Sequence, residues 1–110
     1  MKKMSKEEVL RIVRELHTQL DAVYGNRLKG VYLYGSYARG DAREDSDIDV
    51  AVVLDEIQDR WKERERVGDV SAAISLREDC LLTAFVMSAE DWNDRPNAIH
   101  RSIAGEGIAV

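Results

Sequence analysis

Two aspartates separated by a single residue, Asp47 and Asp49, begin a segment whose residues 50–54 are all apolar. Successive side chains of a strand point to opposite faces, so the two carboxylates share one face and Ile48 faces the core. A strand that is apolar on both faces is typical of a sheet covered by helices on both sides. The pattern therefore predicts a central strand that starts with a pair of acids, and such a pair can hold metal ions.

A glycine–serine turn lies eleven residues before this pair, counted from Ser36 to Asp47. Residues 29–34 predict a strand that ends at Gly35, and residues 36–40 predict a turn into a short helix. Gly35 has no side chain to block a phosphate, and Ser36 adds a hydroxyl donor. Arg39, one helical turn further on, can contact a phosphate oxygen through its forked guanidinium.

The direction of the two strands follows from this chemistry. In parallel strands the turn and the carboxylates would lie at opposite edges of the sheet. In antiparallel neighbours, the end of one strand meets the start of the next. Only the antiparallel arrangement makes a single site for a triphosphate and its metal, so we predict it.

The rest of the chain predicts an α/β (α+β) domain with a small mixed sheet, helices packed against it and the element order αβαβαβα. The first helix starts at a capping box, Ser5 to Glu8, carries an apolar stripe and stops at Gly25. The other predicted elements are a charged helix within residues 55–77, a strand at 80–87, a helix capped by Ser88 and a last helix at 97–104.

The two tryptophans allow different interpretations. Trp61 stands in a very polar stretch and is interpreted either as a core anchor or as a contact for a partner protein, since interfaces are enriched in tryptophan. Trp92, in the helix that follows the third strand, is interpreted as a packing residue.

Composition limits the classes of protein to which the chain can belong. Its 110 residues suit one domain, residues 1–110, and the net charge of −5 argues against direct nucleic-acid binding. A single cysteine, Cys80, allows no internal disulfide, which favours a cytoplasmic location. No apolar run is long enough to span a membrane, and the acidic residues after the first five argue against a signal peptide.

The motif Gly35-Ser36-x-x-Arg39-Gly40, followed by Ser46-Asp47-x-Asp49, resembles the signature of the polymerase-β-like nucleotidyltransferases. More narrowly, it resembles their minimal nucleotidyltransferase (MNT) subfamily. The resemblance covers the whole chain in outline, including the closing Ile103-x-x-Glu106-Gly107-Ile108. It implies the polymerase-β-like fold and the transfer of a nucleoside monophosphate, with ATP as the expected substrate, to a hydroxyl group.

The resemblance also implies roles for the residues of the motif. The positions that would bind the nucleotide are Gly35, Ser36, Arg39 and Ser46. Asp47 and Asp49 would be the catalytic acids that bind two Mg²⁺ ions.

A third carboxylate is usual in this family on the next strand of the sheet. Residues 81–87 contain no acid. Asp79 borders that strand and is the candidate for the third catalytic and metal-binding position. Without it, no residue would act as a general base.

The resemblance further implies a partner. Larger relatives carry an acceptor-binding domain, and this sequence has no room for one, so a second subunit or another protein is expected to present the acceptor in a homo- or hetero-oligomer. The leading expectation is a HEPN-like toxin, adenylylated by this chain as its antitoxin. A small-molecule nucleotidyltransferase acting as a homodimer and a non-enzymatic antitoxin remain as alternatives.

Overall fold

The computed structural model describes residues 3–110, in which helices and strands alternate until the last two helices. The N-terminal Met1 and Lys2, counted above in the single domain, lie outside the described residues. The elements are α1 (Lys6–Tyr24), β1 (Leu28–Tyr34), α2 (Ser36–Arg39), β2 (Ile48–Leu54), α3 (Arg60–Glu78), β3 (Leu82–Ser88), α4 (Ala89–Asp94), α5 (Ala98–Glu106) and β4 (Ile108–Ala109).

Helix α1 has the bounds predicted from its caps. The hydroxyl of Ser5 accepts a hydrogen bond from the backbone N–H of Glu8, and Gly25 ends the helix with a positive φ of 56°. A single 3₁₀ turn, Gly25–Arg27, then leads into β1. The predicted stripe packs into the core, with one exception: Val23, at its end, is half exposed.

The strands form one mixed sheet in the order β3-β2-β1-β4. The predicted antiparallel pairing of β1 with β2 is confirmed, with Tyr34 opposite Asp49. Strand β3 runs parallel to β2 after the α3 crossover, and β4 runs antiparallel to β1. The apolar tail of the chain is therefore a fourth strand, which the sequence analysis did not predict.

Helices cover both faces of the sheet, as the apolar segment in β2 predicted. Val50 and Val52 pack in the cluster that contains α1 and α3, whereas Ala51 and Val53 pack in the cluster that contains α5. Trp92 of α4 joins this second cluster and stacks on Tyr32 with ring centroids 4.1 Å apart, so its packing role is confirmed.

Helix α3 begins later than the charged stretch that predicted it. The Asp59 side chain accepts a hydrogen bond from the backbone N–H of Lys62, and this cap sets the helix start at Arg60. Trp61, in the first turn of α3, is 75% exposed. The core-anchor interpretation of Trp61 is therefore wrong.

No helix between residues 3 and 110 combines the length and the apolar character needed to cross a membrane.

Candidate active site

The turn after β1 and the acid on β2 touch each other. Gly35 is buried and has a φ of +78°, in the region that favours glycine. A Cβ atom on Gly35 would overlap Oδ2 of Asp49 and lie 3.1 Å from its Cγ. The strand register thus brings the two halves of the motif into one site, as predicted.

Helix α2 is fixed by its own backbone and by one buried side chain. The carbonyl of Gly35 accepts hydrogen bonds from the N–H groups of Ala38 and Arg39, at 3.1 and 3.0 Å. Tyr37 is buried, and its hydroxyl accepts a hydrogen bond from the backbone N–H of Met4 at 3.2 Å. The motif's tyrosine therefore anchors the turn to the core, while Ser36 stays partly accessible beside Gly35.

Ser46 shapes the approach to the acid pair. Its hydroxyl accepts a hydrogen bond from the N–H of Arg43 at 2.7 Å, and its own N–H donates to the Arg43 carbonyl at 3.1 Å. This closed turn directs the chain into Asp47. The structure thus shows Ser46 as a turn residue, and its contact with a nucleotide stays a prediction.

Asp49 lies in an electrostatically unfavourable position. Partial burial raises the pKa of its carboxyl group, and the neighbouring charge of Asp47 raises that pKa further. The guanidinium of Arg39 acts in the opposite direction, and the carboxylate of Glu106 adds a smaller upward shift in the pKa of Asp49. A cation bound between Asp47 and Asp49 would relieve this repulsion, so the pair suits a divalent metal ion.

Glu106, at the end of α5, is a site residue that the sequence analysis did not assign. Its Oε2 accepts a hydrogen bond from Nη1 of Arg39 at 2.5 Å. The pKa of the Tyr34 hydroxyl is raised by burial and, to a smaller extent, by the charges of Asp49 and Glu106. The only sequence signal for Glu106 was its place in the closing motif, because α5 and β4 bring it to the site through long-range pairing.

The structure does not bring Asp79 to the acid pair. Asp79 ends α3 with a φ of +52° and is exposed, and its N–H donates to the Ser75 carbonyl. The residue on β3 that pairs with Asp49 is Thr83. Among residues 3–110, no three histidine, cysteine, aspartate or glutamate side chains form a group that could hold a metal. The catalytic role of Asp79 stays a prediction, and a metal at Asp47 and Asp49 would complete its shell with phosphates and water.

A family model described as "Nucleotidyltransferase domain" matches residues 6–103 of the chain. The chain belongs to this family. It is a nucleotidyltransferase of the minimal subfamily, and the predicted enzyme class and polymerase-β-like fold are confirmed.

Two archaeal relatives carry more specific names. A Methanocaldococcus jannaschii protein, provisionally named protein adenylyltransferase MJ0604, is 34% identical over 96 residues, which are 86% of this chain and 90% of that protein. Protein adenylyltransferase MntA of Thermococcus cleftensis is 34% identical over 88 residues, which are 80% of this nucleotidyltransferase and 87% of the relative.

Solved structures show the same fold. A provisionally assigned minimal nucleotidyltransferase is 28% identical, with a TM-score of 0.60 and full coverage of both chains. A toxin–antitoxin structure with AMP-PNP is 17% identical, with a TM-score of 0.54, and the match covers 96% of this nucleotidyltransferase and 72% of that chain. At that identity, the second likeness concerns the fold alone.

Proposed function

We propose that this nucleotidyltransferase moves the AMP group of ATP to a hydroxyl group on a partner protein. The observation that carries the proposal is the contact between Gly35 and Asp49, because it joins an accessible turn to a pair of carboxylates. The choice of a protein as acceptor is supported by the two relatives named as protein adenylyltransferases.

The proposed reaction is an exchange at the α-phosphorus of ATP. The acceptor oxygen forms a bond to this phosphorus, the bond to the oxygen that bridges the α- and β-phosphates breaks, and pyrophosphate leaves. The hydroxyl proton passes to water. Mg²⁺, when bound, would activate the attacking hydroxyl and stabilise the leaving pyrophosphate.

Residues of this chain would hold the reactants in position. Asp47 and Asp49 would hold the metal ions from one side of the β2 start. The backbone at Gly35 and the hydroxyl of Ser36 would contact the triphosphate, and Arg39 would contribute a forked contact to a phosphate oxygen. Asp79 would serve the same site only if its side chain came to Asp47 and Asp49, with which it forms no metal-holding group in the structure.

The partner we propose is a HEPN-like toxin, with this nucleotidyltransferase as its antitoxin. Support comes from the motif's resemblance to the minimal nucleotidyltransferase subfamily, which implies such a partner, and from the fold shared with a toxin–antitoxin structure. The acceptor would be a hydroxyl-bearing side chain of the toxin, and tyrosine is the residue type that the resemblance implies.

Mass spectrometry tests the proposal. The purified chain is incubated with ATP, Mg²⁺ and the protein encoded by the neighbouring gene. We expect that protein to gain the mass of one AMP group, and Asp47→Asn to abolish the gain. Asp45→Asn is the matched control, because Asp45 is exposed on the connector and its loss removes the same charge.

Three results would contradict the proposal. Transfer that persists in Asp47→Asn would refute the acid assignment. Transfer to free hydroxyl compounds alone, with no protein modified, would instead favour the small-molecule alternative. Absence of transfer to any acceptor by a folded wild-type chain would refute the proposed activity itself.

A further inference from the structure

Arg39 is held by two carboxylates in this structure. Its Nη1 donates to Oε2 of Glu106 at 2.5 Å, and its Nε donates to Oδ2 of Asp41 at 3.3 Å. These contacts use two of the five N–H donors of the guanidinium. The side chain that would contact a phosphate is therefore already engaged with an anion.

The two carboxylates differ in how firmly they are placed. Asp41 lies two residues from Arg39, and its side chain is 64% exposed, so its contact is local and open to solvent. The side chain of Glu106 is 22% exposed and belongs to a distant part of the chain. Glu106 is thus the partner that connects α2 to the C-terminal part of the fold.

The backbone around Glu106 is anchored on both sides. Gly107 donates its N–H to the carbonyl of Ile103 at 2.8 Å, and the next two residues form β4 against β1. Val110 follows with an N–H donated to the carbonyl of Val31 at 3.0 Å. Breaking the contact between Arg39 and Glu106 therefore requires only side-chain rotation, and the backbone can stay in place.

The ion pair lies beside the acid pair of β2. The charges of both Arg39 and Glu106 act on the carboxyl group of Asp49, with opposite signs. A triphosphate bound at Gly35 would bring several negative charges next to Glu106. The phosphate and the Glu106 carboxylate would then compete for the same guanidinium, since each presents two negatively charged oxygens that can accept hydrogen bonds from its fork.

We propose that Glu106 is a positioning residue that holds Arg39 before the nucleotide binds and that the triphosphate must displace it. This inference rests on the proposed function, because it requires a triphosphate at the turn after β1. Glu106 is then a determinant of nucleotide affinity. It keeps Arg39 beside the site and correctly oriented, and it weakens nucleotide binding because the triphosphate must break this contact.

Glu106→Gln separates the two effects of this residue. The amide oxygen can still accept a hydrogen bond from Arg39, but the negative charge is gone. We expect the variant to bind a non-hydrolysable ATP analogue with Mg²⁺ about fivefold more tightly than the wild type, the upper range for one exposed ion pair. A contact that only supports the fold predicts the reverse, weaker binding together with a lower melting temperature.

Two further variants test whether the gain in affinity comes from the contact between Arg39 and Glu106. Glu44→Gln removes the same charge from an exposed position on the connector between α2 and β2, and we expect its affinity to stay within about twofold of wild type because solvent and salt screen it. In an Arg39→Gln background, the gain from Glu106→Gln should vanish, since the two residues act through one contact.

Calorimetric titration of the full chain with the analogue decides between the outcomes. Unchanged or weaker binding in Glu106→Gln overturns the inference, and so does a gain that persists in the Arg39→Gln background. Normal AMP transfer with no gain in affinity refutes the inference and leaves the proposed function standing. The expected gain in affinity without AMP transfer to any protein supports the inference and counts against the proposed function. A wild-type chain that binds no nucleotide refutes both the inference and the proposed function.

Discussion

Oδ2 of Asp49 occupies the space in which a side chain on Gly35 would begin. The Cγ and Cβ of Asp49 are each 3.1 Å from that position. The turn at Gly35 and the side chain of Asp49 are therefore one packing unit, and a change in either one displaces the other.

Gly35→Ala should lower the free energy of unfolding by about 3 kcal/mol, from strain at positive φ and overlap with Asp49. Gly40→Ala is the matched control, because Gly40 also has a positive φ, of 89°, but a Cβ on Gly40 would meet no atom within 4 Å. Gly40→Ala should lower the free energy of unfolding by about 1 kcal/mol, from backbone strain alone. Urea denaturation of both variants measures the difference, and equal losses would show that Asp49 does not restrict the turn.

Asp49→Asn should stabilise the metal-free fold at pH 7 while abolishing the AMP transfer that we propose. Burial and the charge of Asp47 raise the pKa of Asp49 above its unfolded value, so the folded state binds the proton more tightly than the unfolded state. The Asp49 contribution therefore disfavours folding at neutral pH, and this penalty disappears as the pH falls below the unfolded pKa.

Thermal melts of wild type and Asp49→Asn across pH measure this contribution. The stability difference between the two proteins should be largest near pH 7 and should shrink as the pH falls through the raised pKa of Asp49 towards its ordinary value. A difference that is independent of pH would mean that the ionised carboxylate is not disfavoured. Measuring in a metal chelator keeps bound cations from masking the effect.

The two tryptophans should respond differently to truncation. Trp92→Ala removes the stack on Tyr32 and should cost about 3 kcal/mol of stability. Trp61→Ala should change stability by less than about 0.5 kcal/mol, because the indole is 75% exposed. Chemical denaturation tests both, and a large loss in Trp61→Ala would contradict the exposed position.

Glu63 holds α3 to the far end of the sheet from the site. It is buried, and its carboxylate accepts hydrogen bonds from the Tyr24 hydroxyl at 3.2 Å and from Nη2 of Arg27 at 2.6 Å. Glu63→Ala should therefore lower stability by about 2 kcal/mol, while the exposed Glu65→Ala should be close to neutral. Unfolding curves of the two variants test the contrast.

The pKa of the Tyr24 hydroxyl also depends on Glu63. Burial, with the charge and hydrogen bond of Glu63, raises the pKa of Tyr24 to about 12. Glu63→Gln removes the charge, so the Tyr24 pKa should fall towards its ordinary value. Tyrosinate absorbance during an alkaline titration follows this change, and an unmoved titration curve would contradict the contact.

Local chemistry made much of the fold predictable. The caps Ser5 and Gly25 gave the bounds of α1, and Ser88 was confirmed as the cap of α4 by the bond it accepts from the N–H of Asp91. The antiparallel pairing of β1 and β2 was predictable because only that arrangement unites the motif. In each case, a few neighbouring residues determined the structure.

Long-range pairing explains what could not be predicted. Strand β4 has two residues, too few for any periodicity, and exists only because β1 offers an open edge. Glu106 reaches Arg39 as a consequence of that pairing. The place of Asp79 depends on how α3 ends, because its left-handed conformation turns the chain before β3 begins, and no sequence pattern around residues 78–80 signalled it.

The pairing of Tyr34 with Asp49 has a consequence for the connector between α2 and β2. The ladder, and not the length of the loop, holds the two halves of the site together. Extra residues inserted between Glu44 and Asp45, both exposed, would open the turn between Arg43 and Ser46, while the ladder would keep Tyr34 opposite Asp49. This position is therefore a natural attachment point for a tether or a reporter domain that monitors what approaches the site.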